Sequence, residues 1–104
     1  MFLARVTGSV VATQKLKSMV GSKLLTVEPL RVDPGKRDAL VSTGRTFVCV
    51  DTVGAGEGEM VLIVQGSSAR MAPEVEKMPV DATIIGIVDN VMVENRTLFS
   101  AQRE

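Results

Sequence analysis

The segment Asp51-Thr-Val-Gly-Ala-Gly-Glu-Gly-Glu59 places three glycines and three carboxylates between two apolar runs, residues 46–50 and 60–64. Glycines at 54, 56 and 58 allow positive φ and the close approach of another backbone. That freedom suits a phosphate cradle, which needs a helix opening directly after the glycines with its N-terminal amides aimed at the anion. The glycines run instead into Glu59-Met-Val-Leu-Ile-Val64, a strand pattern, and no Gly-Lys-Ser/Thr ending follows. Glu57 and Glu59 would also repel an anion. The segment reads as a tight structural loop packed against another surface.

Few other groups offer chemistry. The chain has no histidine, which removes the commonest general base and the commonest transition-metal ligand. Ser67 and Ser68 therefore lack the partner of a catalytic triad. Asp51, Asp81 and Asp89 could in principle form an acid–base pair. Each sits at the edge of an apolar run, where aspartate ordinarily caps or ends an element. Cys49 lies inside Phe47-Val-Cys-Val50 and reads as a small buried core residue. A single cysteine makes no internal disulfide, consistent with a reducing cytosol. These residues supply no catalytic, metal or cofactor site, and the expectation is a protein that is not an enzyme.

The elements that must position these groups read as β-strands. Residues 2–13 are rich in β-branched side chains (Val6, Thr7, Val10, Val11, Thr13) and form a first strand, with Gly8 marking a bend or a close backbone approach. Residues 14–22 are polar and basic and read as a loop. Residues 23–30 alternate, Leu25 and Val27 against Leu24 and Thr26, as a second strand. Residues 31–44 hold Asp33-Pro-Gly35 and several charges, a long turn-rich loop. Residues 46–50 and 59–65 are the third and fourth strands. Residues 66–70 and 71–78 form a connection with a short helical turn. Residues 83–93, seeded by Ile84, Ile85, Ile87 and Val88, are a long fifth strand. A short apolar segment, 96–100, follows the turn-prone Glu94-Asn95. Five strands with glycine-rich turns in a chain of 104 residues predict an all-β fold, a small Greek-key barrel of the oligonucleotide/oligosaccharide-binding (OB) type, with a sandwich as the alternative.

Composition narrows the function. A length of 104 residues corresponds to a single domain, 1–104, with one modest core. Twelve basic and twelve acidic residues give a formal net charge of zero, so the chain exerts no general pull on nucleic acid or anionic lipid. Zero charge also weakens the repulsion that keeps copies apart, which suits a chain that assembles. Single-strand binders need a basic groove and stacking aromatics. Here the aromatics are Phe2, Phe47 and Phe99, all within apolar runs that read as core. No secretory signal or membrane-length apolar run is visible, so a cytoplasmic location without membrane or nucleic-acid partners is expected.

Several strings, in order, resemble one family. They are Leu3-Ala-Arg-Val-Thr-Gly8, Val11-Ala-Thr-Gln-Lys15, Val50-Asp-Thr-Val-Gly-Ala-Gly56 with Gly58-Glu59, Gly66-Ser-Ser-Ala-Arg70, Pro79-Val-Asp81 and Gly86-Ile-Val-Asp89. Together they resemble the bacterial microcompartment vertex family, which includes carboxysome vertex proteins and their ethanolamine- and propanediol-utilisation relatives. Residues 31–45 look longer and more basic than in many relatives, and the tail from 94 to 104 is unlike the shortest members. The resemblance implies a five-stranded barrel that forms a cyclic homopentamer. Such pentamers close the five-fold vertices of a polyhedral shell whose facets are hexameric proteins. It places Gly54, Ala55, Gly56, Gly66, Ser67, Ser68 and Arg70 at the subunit interface or near the five-fold axis. The planar fork of Arg70 suits a directional interface bond, the alternative being a solvated surface charge. The competing functional reading is a monomeric OB-like module binding a small ligand or nucleic acid.

Overall fold

Eight strands organise the chain: β1 (Phe2–Val10), β2 (Lys23–Val32), β3 (Leu40–Ser42), β4 (Phe47–Asp51), β5 (Met60–Gln65), β6 (Ala82–Ile87), β7 (Asn90–Val93) and β8 (Arg96–Ser100). The computed structural model describes residues 1–12, 23–66 and 81–101. Five of the strands pair in the order β1-β5-β6-β4-β2, and β2 pairs back onto β1. The sheet therefore closes into a five-stranded barrel, consistent with the OB-like architecture expected, and its closure leaves the barrel without a free edge. All its pairings are antiparallel except β4 with β6, which run parallel through Val50↔Thr83 and Asp51↔Ile84.

The period-two alternation decides what lies inside. Ala4 and Val6, Leu25 and Val27, Cys49, Val61 and Ile63, Ala82 and Ile84 all point into one core, joined by Ala55 from the β4–β5 loop. Each of the larger side chains stabilises the barrel by roughly 1.5–3 kcal/mol on leaving water. A second layer explains the unbroken apolar run of β5. Met60, Val64, Val50 and Thr83 are also buried, and the ladder sets Thr83 opposite both Val64 and Val50. Strands covered on both faces carry apolar residues at consecutive positions.

Gly8 serves the close approach its position suggested. The β1–β2 register shifts between Val6 and Gly8, and a Cβ on Gly8 would stand 3.1 Å from Thr26 Oγ1. The bulge at Thr7 bends β1, so that Phe2–Arg5 pair with β5 while the strand from Ala4 to Val10 follows β2. The hydroxyls of Thr7 and Thr26 meet at 2.9 Å across this bend.

The sequence expectations need three corrections. Residues 83–93 are not one strand. β5 begins at Met60, whose carbonyl accepts from the Val88 amide at 2.9 Å, so nothing remains for the chain to pair with beyond Val88. It turns there and starts β7. Residues 96–100 are a strand, β8, paired with β7 around a two-residue turn at Glu94 and Asn95. Both turn residues adopt positive φ, 51° and 63°, as such hairpin turns require. Residues 31–44 are not all loop: β2 runs on to Val32, and its overhanging end pairs with β3. The expected end of β1 at Thr13, the loop 14–22 and the helical turn within 71–78 lie outside the described residues.

Candidate functional site

The β4–β5 loop is organised by one carboxylate. The Asp51 side chain is 1% exposed. Its Oδ1 accepts from the Val53 amide at 3.0 Å and its Oδ2 from the Ala55 amide at 2.9 Å. Lys23 Nζ stands 3.6 Å from Oδ2 and donates to the Ala55 carbonyl at 2.8 Å. The second half of the loop repeats the device, with the Gly56 amide donating to Glu59 Oε1 at 2.8 Å. The Gly58 amide donates to the Val6 carbonyl and the Val6 amide to the Glu59 carbonyl, at 2.8 and 3.0 Å, stitching the loop to β1. Thr52 Oγ1 donates to the Ile84 carbonyl at 2.8 Å and ties it to β6.

This pattern answers the phosphate question physically. The amides of Val53, Ala55 and Gly56 are already bound to the chain's own carboxylates, and that of Gly58 to the Val6 carbonyl. The glycines have separate reasons. Gly54 and Gly58 take φ of 77° and 88° with open space where a Cβ would be, conformations costly for other residues. Gly56, expected to share that property, does not. Its φ is outside the left-handed region and a Cβ there would meet Glu59 Oε1 at an ordinary 3.5 Å.

The structure separates residues that the sequence grouped. Gly54, Ala55 and Gly56 lie before β5, and Gly66 lies after it, with φ 66° and its amide donating to the Asp81 carbonyl at 2.8 Å. Six residues of strand place them roughly 20 Å apart, at opposite ends of the barrel. Ala55 is 0% exposed and packs into the barrel's own core, so at this loop Gly54 and Gly56 present the backbone surface. Ser67, Ser68 and Arg70 lie outside the described residues.

Reactive groups are dispersed or silenced. Burial, and then the charge of Asp81, push the Cys49 thiol up to about 12, so at neutral pH it stays protonated. Asp81 and Asp89 flank β6 at its two ends, a separation on the order of 20 Å by strand rise, too far for a shared proton. Among the described residues, no cluster of three or more His, Cys, Asp or Glu could hold a metal ion. No described helix is long and apolar enough to cross a membrane. The aromatics are engaged. Phe2 and Phe47 pack edge to face at 5.5 Å against the core. Phe99 departs from its core expectation: it sits on β8, outside the buried core, with the Arg5 guanidinium 5.9 Å above its ring.

Fold and site together define a small closed β-barrel whose glycine-rich loop is shaped for backbone packing, with its polar groups satisfied internally. Residues 1–89 match the family described as ethanolamine utilisation protein EutN/carboxysome. The bacterial microcompartment shell vertex protein EutN of Escherichia coli (strain K12) is 45% identical over 100 residues, 95% of this chain and 98% of that protein. The solved structure of Gloeobacter violaceus CcmL superposes with a TM-score of 0.84 at 44% identity, covering 96% of this chain and 97% of that one. The GrpN pentameric microcompartment shell protein from Rhodospirillum rubrum gives a TM-score of 0.75 at 44% identity, over 91% of this chain and 100% of that one. The chain belongs to the EutN/CcmL family of bacterial microcompartment shell vertex proteins.

Proposed function

We propose that this single-domain chain assembles into a homopentamer that caps the five-fold vertices of a bacterial microcompartment shell in the cytoplasm. Full-length similarity to vertex proteins, one of them a pentameric shell protein, carries the reading. The geometry supports it. A head-to-tail ring needs two different faces on each subunit, and the rotation between them must close. The barrel offers glycine backbone at two opposite ends, exposed Gly54 and half-buried Gly56 before β5 and exposed Gly66 after it. In this reading these glycines, with Ala55 holding the first loop in place, form the subunit interface or the axial surface, together with Ser67, Ser68 and Arg70. The facets around the pentamer are hexameric shell proteins, since a flat hexagonal sheet closes only when five-fold units are added. The protein acts by shape, with no catalysis of its own and no nucleic-acid or membrane partner.

The test is the mass in solution. Five copies of an 11.1 kDa chain weigh about 55 kDa. Native mass spectrometry should find that species, and a stable monomer or dimer throughout the micromolar range would refute the ring. In a shell-forming set, omission of this protein and any paralogue should leave open or elongated shells; normal closed polyhedra would count against the vertex role.

A further inference from the structure

We propose that the β7–β8 hairpin is a hinged strap, clamped at its tip by the ion pairs Arg37–Glu94 and Asp38–Arg96, that can lift while the barrel stays closed. Four observations carry this. First, no described residue after Ile84 belongs to the buried core, so the hairpin lies outside the apolar cluster that fills the barrel. Second, β7 and β8 form a two-stranded sheet of their own, separate from the barrel sheet, and such a hairpin is marginal in water without something to lean on. Third, its attachments among the described residues differ in kind. At the base, the Val88 amide reaches the Met60 carbonyl at 2.9 Å and the Ala101 amide reaches the Asp89 carbonyl at 2.7 Å. Midway, Phe99 lies under Arg5.

The fourth observation is the clamp itself. Arg37 donates through Nε to Glu94 Oε1 at 3.1 Å, and its second terminal nitrogen stands 3.0 Å from the same oxygen. Arg96 and Asp38 approach to 4.0 Å. One half of the clamp is pre-set. Asp33 Oδ1 accepts from the Gly35 amide at 2.8 Å. The Arg37 amide reaches the Asp33 carbonyl and the Asp33 amide the Ala39 carbonyl, both at 2.8 Å. Arg37 holds positive φ, 60°, a conformation that in a non-glycine residue is kept by its surroundings, while the positive φ of Glu94 comes from its own hairpin turn. The clamp is also exposed, 59% and 57% for one pair and 61% and 48% for the other, so salt screens it.

Beneath the strap runs a groove of about 310 Å³ between Gly58, Glu59, Met60, Val88 and Phe99. The register sets Val91 beside Phe99 and Val93 two residues on, on one face of the hairpin. Lifting the strap therefore draws Phe99 away from Met60 and opens this groove, at a point controlled by ionic strength.

Hydrogen exchange on the assembled protein tests this, with the oligomer mass recorded in every condition. Raising salt from about 0.1 M to about 1 M shortens the Debye length from roughly 10 Å to 3 Å. The amides of β7 and β8 should then exchange about fivefold faster, the size expected for loss of weak exposed pairs, while those of β5 and β6 hold constant. Arg37→Glu should produce the same release at low salt, and Arg37→Glu combined with Glu94→Arg should restore protection. Neither change introduces or removes a glycine at the positive-φ sites. Unchanged hairpin exchange, equal deprotection of β5 and β6, failure of the double variant to restore protection, or release that accompanies loss of oligomer mass would each overturn the strap.

Discussion

Removing the Asp51 carboxylate should cost the protein about 3 kcal/mol, and the structure shows how that figure arises. The side chain is 1% exposed and holds the amides of Val53 and Ala55. Hydrogen bonds to a charged group contribute about 1.5–3 kcal/mol each, and a donor left unpaired away from water carries most of that loss. In Asp51→Ala the exposed Val53 amide can turn to solvent, which limits its share to about 1 kcal/mol, while the amide of buried Ala55 loses roughly 2 kcal/mol. Lys23 adds little, because its side chain is 54% exposed and such a pair contributes at most about 1 kcal/mol. Three variants therefore rank themselves. Lys23→Met should cost under about 1 kcal/mol. Asp51→Asn, which keeps the shape and one acceptor, should fall between it and Asp51→Ala. Urea unfolding at fixed protomer concentration reads the series, since assembly couples stability to concentration. A loss of ~3 kcal/mol should lower the midpoint by more than about 1 M. If Asp51→Ala unfolds within about 0.5 kcal/mol of the parent, or if Lys23→Met costs more than it does, the carboxylate is not the organiser of this loop.

Other outcomes follow from the same structure. Gly54→Ala and Gly58→Ala should each destabilise by about 1 kcal/mol because of their positive φ, while Gly56→Ala should fold nearly as the parent does; equal losses at all three would remove the distinction. Gly56→Val should weaken assembly more than folding, as seen by size-exclusion chromatography beside circular dichroism. Cys49 should react with thiol reagents only as fast as the barrel opens, so a rapid stoichiometric reaction in native buffer would contradict its burial. Its protonated thiol also shapes alkaline stability. The folded value is about 12 against an ordinary 9. The unfolded chain therefore loses its proton first, and stability is full below the ordinary value and falls by about 1.4 kcal/mol per pH unit between the two. Cys49→Ala should flatten that slope in alkaline urea titrations.

The amino-acid sequence by itself determined the strand inventory of the barrel and the family. Consecutive apolar residues from Met60 to Val64 announce a strand covered on both faces, and alternation at Leu25 and Val27 announces one that faces a core. Gly8 marked a bend or close approach, Glu94-Asn95 a turn and Cys49 a buried position, because each of these is a local demand of φ, size or polarity. The loop 51–59 was recognisable as structural for the same reason: Glu57 and Glu59 forbid the anion. What the sequence left open depends on groups far apart in the chain. Periodicity tells which way a residue faces but not which strand lies beside it, so the β1–β2 closure and the parallel β4–β6 pair came only with the fold. Lys23 meets Asp51 and Arg37 meets Glu94 only after those strands have paired. Whether Gly56 needs positive φ depends on where Glu59 and the rest of the loop settle. Similarity of strings put Gly54 and Gly66 in one group, while the length of β5 sets them at opposite ends. The break at Val88 has the same origin: Asp89 was a weak end signal that the apolar residues around it outweighed, and β6 stops because its partner β5 begins at Met60.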